Sequence, residues 1–99
     1  MWRSILAELL GTFFFVSVIL AITTTYSGNI FVPIVIGLAL AAAIYFTATS
    51  SKGSMNPAVT LALYARGDLS GTSAILYMVA EFTGAALAFL WWYYMMRCV

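Results

Sequence analysis

The chain has 99 residues, of which 65% are hydrophobic and 7% charged, with a formal net charge of +1 and a mean hydropathy of +1.07. A soluble domain of this length has too little interior to hide so much apolar surface, so the composition places the chain in a lipid bilayer. It has no basic stretch to bind nucleic acid, no histidine, and a single cysteine, Cys98; this excludes an internal disulfide framework and histidine-based catalysis and leaves no ligand set for a metal.

In chain order, Arg3 and the apolar run behind it have the outline of a secretion signal. However, the run from Ile5 to Ile22 exceeds the roughly 7–15 residues of a signal core and contains Glu8. A retained membrane helix is predicted over residues 4–25. The turn formers Tyr26-Ser27-Gly28-Asn29 follow. A second membrane helix is predicted over residues 30–49, with Pro33 in its first turn, where a missing N–H is tolerated. A third covers residues 72–96. Each approaches the roughly 20 residues needed to cross a hydrocarbon core. Trp2, Trp91, Trp92, Tyr93 and Tyr94 stand near the ends, as interfacial aromatics do. The reading is a multi-pass, all-α integral membrane protein surrounded by lipid.

Between the second and third spans the pattern changes. Thr49-Ser50-Ser51-Lys52-Gly53-Ser54 is a polar loop. After it, Asn56 is a good N-cap, Pro57 suits the first helical position, Arg66 suits the last turn and Gly67 the C-terminal cap. These limits predict a helix over residues 57–66, about 15 Å long and so half a bilayer. Its outward residues, including Val59 and Leu61, are apolar, which favours a re-entrant half-helix over an amphipathic helix lying on the surface. The fold class is therefore three spanning helices and one re-entrant half-helix.

Glu8 and Glu81 lie within spans, where a carboxylate needs a protein or water partner. Two roles compete: proton or cation handling, and accepting hydrogen bonds from the re-entrant loop. The second is favoured, making both structural buried carboxylates. Gly11 and Thr12, Gly37 and Ala41, and Gly84, Ala85 and Ala88 are the small residues predicted to mark helix contacts. Asn56-Pro57-Ala58 opens the half-helix at depth, where the Asn56 amide and the positive helix end would offer donors to a polar solute and repel cations.

Ala7-Glu8, Gly11-Thr12-Phe13, Gly37-Leu38, the run Ser54-Met55-Asn56-Pro57-Ala58-Val59-Thr60-Leu61-Ala62, and Gly84-Ala85 together resemble the major intrinsic protein family of aquaporins and aquaglyceroporins, over nearly the whole chain. The likeness is to the first of the family's two inverted repeats. It implies that residues 1–99 are a single aquaporin-like repeat, half of that fold. A second copy, antiparallel about a two-fold axis in the membrane plane, would complete one pore. Four such pores would cluster as family members do. Arg3, Lys52 and Arg66 would fall on one side and Arg97 on the other, a weak orientation bias that permits insertion both ways.

By the same resemblance, Asn56, Pro57, Ala58, Val59, Ile36, Ile44 and Gly53 line the pore and its constriction. The sequence departs from the family at four places: Val59 where the second repeat carries Arg, Ser54 for a usual His, Lys52 for a usual Gly, and Glu81 for a common Gln. The implied function is a passive channel for water or small neutral solutes such as glycerol, without catalysis or cofactor. Carbonyls of Ser51 to Met55 would serve as acceptors. Two alternatives remain: a proton-coupled dual-topology small transporter using Glu8, and a non-conducting half-subunit that needs a partner chain.

Overall fold

In the computed structural model, which describes residues 1–98, four helices follow one another: α1 (Trp2–Tyr26), α2 (Val32–Thr47), α3 (Pro57–Arg66) and α4 (Gly71–Met95). Among the described residues there is no strand. Helices α1 and α4, 25 residues each, are long and apolar enough to cross a membrane; each measures about 38 Å. Helix α2 is equally apolar but shorter than its expected range. Its 16 residues span about 24 Å. At its start the Asn29 side chain accepts the Phe31 N–H and Pro33 stands at the first turn. At its end Ser50 and Ser51 N–H both turn back onto the Thr47 carbonyl, so the polar run closes the helix early.

The packing is inside-out relative to a soluble protein. Apart from Tyr77 on α4 and Met55 in the loop, buried positions are small or polar: Glu8, Gly11 and Thr12 on α1, Ala39, Ala43 and Thr47 on α2, Thr60 on α3, and Ala74, Ala80, Glu81, Gly84 and Ala88 on α4. Large apolar side chains such as Leu10, Phe14, Leu38, Phe82 and Leu90 face outward, as they do when lipid is the solvent. A β-carbon at Gly84 would lie 2.5 Å from the Leu9 carbonyl oxygen, so the α1 and α4 backbones touch there. Gly37 and Ala41 do not mark a contact within the chain. Both are exposed, and α2 turns Ala39 and Ala43 inward instead.

Helices α1 and α4 run parallel. Trp92 Nε1 donates to Thr24 Oγ1 at 2.7 Å near the late ends of both, and Met1 lies beside Ser73 at their starts. Helix α2 returns, bringing Thr47 against Gly11. The segment from Ala48 to Ser70 therefore starts beside Gly11, about 14 Å in from the start of α1, and ends at the start of α4. Between those points Ser54 is buried in the bundle. Ser54 bonds to Glu8 and Glu81, which lie about 9 Å and 15 Å in from the starts of their helices. Helix α3 then climbs back until the Tyr64 ring reaches Gly71, the first residue of α4.

Candidate functional site

Asn56 is exposed at the N-terminus of α3. Its Oδ1 accepts the Ala58 N–H at 2.8 Å, which spends the carbonyl side of the amide on capping and leaves the Nδ2 hydrogens unengaged among the described residues. Pro57 follows in the first turn, and Ala58 and Val59 are exposed, as Asn56 is. At the other end Gly67 adopts φ 96° and its N–H caps Leu63 and Tyr64. Arg66 pairs with Asp68 at the surface, and Ser70, not Asp68, caps α4 by accepting the Ser73 N–H.

The loop before Asn56 is held by side chains rather than by regular structure. Gly53 and Met55 both have positive φ, 65° and 55°. For Met55 this left-handed conformation is strained, and it persists because both ends of the residue are tied down. Its N–H donates to Glu8 Oε1 at 3.1 Å, and its thioether fills the space that a β-carbon on Gly11 would occupy. Ser51 Oγ donates to Glu8 Oε2 at 2.5 Å. Ser54 Oγ lies 2.7 Å from Glu8 Oε1 and 2.8 Å from Glu81 Oε2. Thr60 Oγ1, one turn into α3, lies 2.9 Å from both Glu81 oxygens. Glu8, Ser54, Thr60 and Glu81 are all buried.

One consequence concerns the backbone. Among the described residues, no N–H or O–H is directed at the carbonyl oxygens of Ser51 to Met55. Five consecutive carbonyls thus have no donor among the described residues, and Asn56 follows them in the chain. Backbone carbonyls without a protein donor call for water or a polar solute beside them.

Of the residues singled out from sequence, Ile44 and Gly53 meet: a β-carbon on Gly53 would be 3.3 Å from Ile44 Cγ2. Ile36 lies eight residues earlier on α2, about 12 Å along the helix and away from that contact. Lys52 is exposed. Among the described residues there is no cluster of three or more acidic, histidine or cysteine side chains that could hold a metal. Thr60 was missed as a site residue. Its signal was the one aliphatic hydroxyl of an apolar helix, one turn beyond the Asn56 cap.

Residues 1–99 match the family model described as major intrinsic protein. Over 92 residues the chain is 36% identical to a Milnesium tardigradum protein named aquaporin-4, covering 87% of this chain and 26% of that relative. It is 39% identical over 104 residues to a probable aquaporin TIP3-2 of Arabidopsis thaliana, covering 89% and 39%. It is 34% identical over 87 residues to glycerol uptake facilitator protein-like 6 of Lactiplantibacillus plantarum, covering 87% and 40%. The chain thus spans between about a quarter and two-fifths of the length of these curated relatives.

Proposed function

Because the chain belongs to the major intrinsic protein family, we propose that residues 1–99 form one half of a passive channel for water and small neutral solutes such as glycerol. In this reading α1, α2 and α4 cross the membrane, α3 is a re-entrant half-helix, and an inverted second unit completes the pore. For these residues taken alone, that unit is a second copy in antiparallel orientation.

The observation that carries the reading is the row of unengaged carbonyls from Ser51 to Met55 ending at the free Asn56 amide. Water or a polyol entering along it exchanges its hydration for acceptors and then meets donors at the positive end of α3. Helix α3, about 15 Å long, starts deep and returns to the start of α4, which suits a half-helix whose N-terminus faces its inverted counterpart. Val59, Ile36, Ile44 and Gly53 would give an apolar constriction without the cationic screen of a second-repeat Arg. Lys52 and the α3 dipole would then be the positive charges a cation meets.

The test is stopped-flow light scattering of proteoliposomes holding the 99-residue chain in both orientations, under water and glycerol gradients. Asn56→Asp, which keeps a capping oxygen but removes the donors, is the control. Flux that depends on Asn56 supports a pore made by these residues alone. Flux no greater than in empty liposomes, with folded and inserted protein, rules out the antiparallel homodimer as a conducting unit.

A further inference from the structure

Ser54 has one hydroxyl hydrogen and three close oxygen neighbours: Glu8 Oε1 at 2.7 Å, Thr60 Oγ1 at 2.7 Å and Glu81 Oε2 at 2.8 Å. The hydrogen can lie along only one of these lines. With both carboxyls ionised, at least one carboxylate oxygen would face the Ser54 oxygen lone pair to lone pair, whichever way the hydroxyl turned. The Thr60 hydrogen cannot relieve this, because it lies on neither line from Ser54 to a carboxylate. A hydrogen on one of the carboxyls removes the clash.

The surroundings say which. Glu8 receives the Ser51 hydroxyl on Oε2 at 2.5 Å and the Met55 N–H on Oε1 at 3.1 Å. The N–H can only donate, so Glu8 is arranged as an acceptor. Glu81 meets the hydroxyls of Ser54 and Thr60, each of which accepts as readily as it donates, and the Glu8 carboxyl itself, where a contact between two carboxyls again needs one hydrogen.

We infer that the Glu81 carboxyl carries a proton and donates it to Ser54, so that neutral Glu81 is a positioning residue for the loop that presents Asn56. Ser54 in turn donates to ionised Glu8, and the two carboxyls together bear one negative charge. A carboxylic acid then does the work of a carboxamide, with the difference that alkali can remove its donor. When it does, Ser54 loses its hold on α4, and the carbonyl row and Asn56 lose their register.

Among the described residues outside the pair, no other charge competes for that proton. On α1 the remaining charge, Arg3, is exposed at the helix start. On α2 the titratable group is Tyr45, which is exposed. On α3 Tyr64 is exposed beside Gly71, and Arg66 is paired with Asp68. In the loop Lys52 is exposed, and on α4 Tyr77, one turn before Glu81, is buried and makes no hydrogen bond to the cluster.

The inference rests on the channel reading for one readout alone, the flux. The experiment is infrared spectroscopy of the full chain in liposomes, in water and deuterated water, across neutral to alkaline pH. Wild type, Glu81→Gln and Asp68→Asn are compared, and osmotic flux is measured in parallel. At neutral pH the wild type should show a protonated-carboxyl carbonyl band that shifts on deuteration. The band should persist in Asp68→Asn and vanish in Glu81→Gln. Wild-type flux should fall with the band on raising pH, toward a limiting slope of about tenfold per pH unit, the signature of one proton. Flux through Glu81→Gln should stay flat.

A wild type without the band overturns the inference, as does a band that survives in folded Glu81→Gln, which would place the proton on Glu8. Flux unchanged while the band titrates away overturns the positioning role. If the chain does not conduct at all, the infrared measurement still decides the proton, and only the channel reading fails. Should Glu81→Gln not fold, the hydrogen-exchange rate of the Met55 amide in the wild type replaces flux. It should rise as the band is lost, and a constant rate overturns the positioning role.

Discussion

The α4 backbone at Gly84 lies against the carbonyl oxygen of Leu9 on α1, close enough that a β-carbon at Gly84 would stand 2.5 Å from it. The Phe13 nitrogen and Thr12 Cβ close the other sides at 3.0 and 3.2 Å, so little can yield. Gly84→Ala should therefore destabilise the unit by about 1–3 kcal/mol through overpacking. Thermal unfolding in detergent reads this as a lower midpoint. Gly37→Ala meets nothing within 4 Å and should not lower the midpoint of an isolated unit. A cost at Gly37 comparable to that at Gly84 would mean that another unit packs on the outer face of α2.

Glu8→Ala removes the acceptor used by Ser51, Ser54 and the Met55 N–H. Each buried donor left without a partner costs about 1–3 kcal/mol. The loop should loosen before the helices do, seen as faster hydrogen exchange at Met55 with helix content retained and, under the channel reading, as loss of osmotic flux. Unchanged exchange at Met55 would show that packing of its side chain on Gly11 suffices to hold the strained loop.

Ser70→Ala should cost about 1 kcal/mol by removing the α4 cap. Asp68→Ala, which breaks an exposed pair with Arg66, should cost less, within about 0.2–1 kcal/mol. Both lie away from the Asn56 loop and should leave osmotic flux per folded protein at its wild-type value. A flux defect in Ser70→Ala at full folding would place that turn at the pore mouth.

Ile44 rests against Gly53, so its side chain limits the space beside the loop. Under the channel reading, Ile44→Ala should raise glycerol flux relative to water and Ile44→Phe should lower it, because a wider solute feels a narrowed bore first. Paired water and glycerol shrinkage assays give the ratio. An unchanged ratio in both variants would remove Ile44 from the constriction.

Much of the local structure could be read directly from the residues. The limits of α3 were legible because caps act over a few positions: Asn56 reaches the N–H of Ala58, and the Gly67 N–H reaches back to Leu63 and Tyr64. Asp68 and Ser70 both stand before α4 with side chains able to cap it; Ser70 does so, while Asp68 pairs with Arg66. The early stop of α2 was harder to read. Ala48 and Thr49 continue the apolar and small pattern, and only the two N–H groups turning onto Thr47 end the helix.

By itself, the sequence determined the solvent and the local parts: a lipid-embedded chain of apolar helices, one short capped helix, and two carboxylates that needed partners. Apolar content and capping are properties of residues and of neighbours within one turn, so they survive without knowledge of the fold. The tertiary structure decided what lies far apart in the chain and close in space. Close approach at Gly84 brought α1 and α4 together, and with the loop folded between them Glu8 and Glu81 meet on the same Ser54 hydroxyl. It also chose Ala39 and Ala43 over Gly37 and Ala41 as the inner face of α2 and put Ile44 against Gly53 but not Ile36. Periodicity names the stripes on a helix, but which stripe is covered depends on the angle and depth at which another backbone arrives.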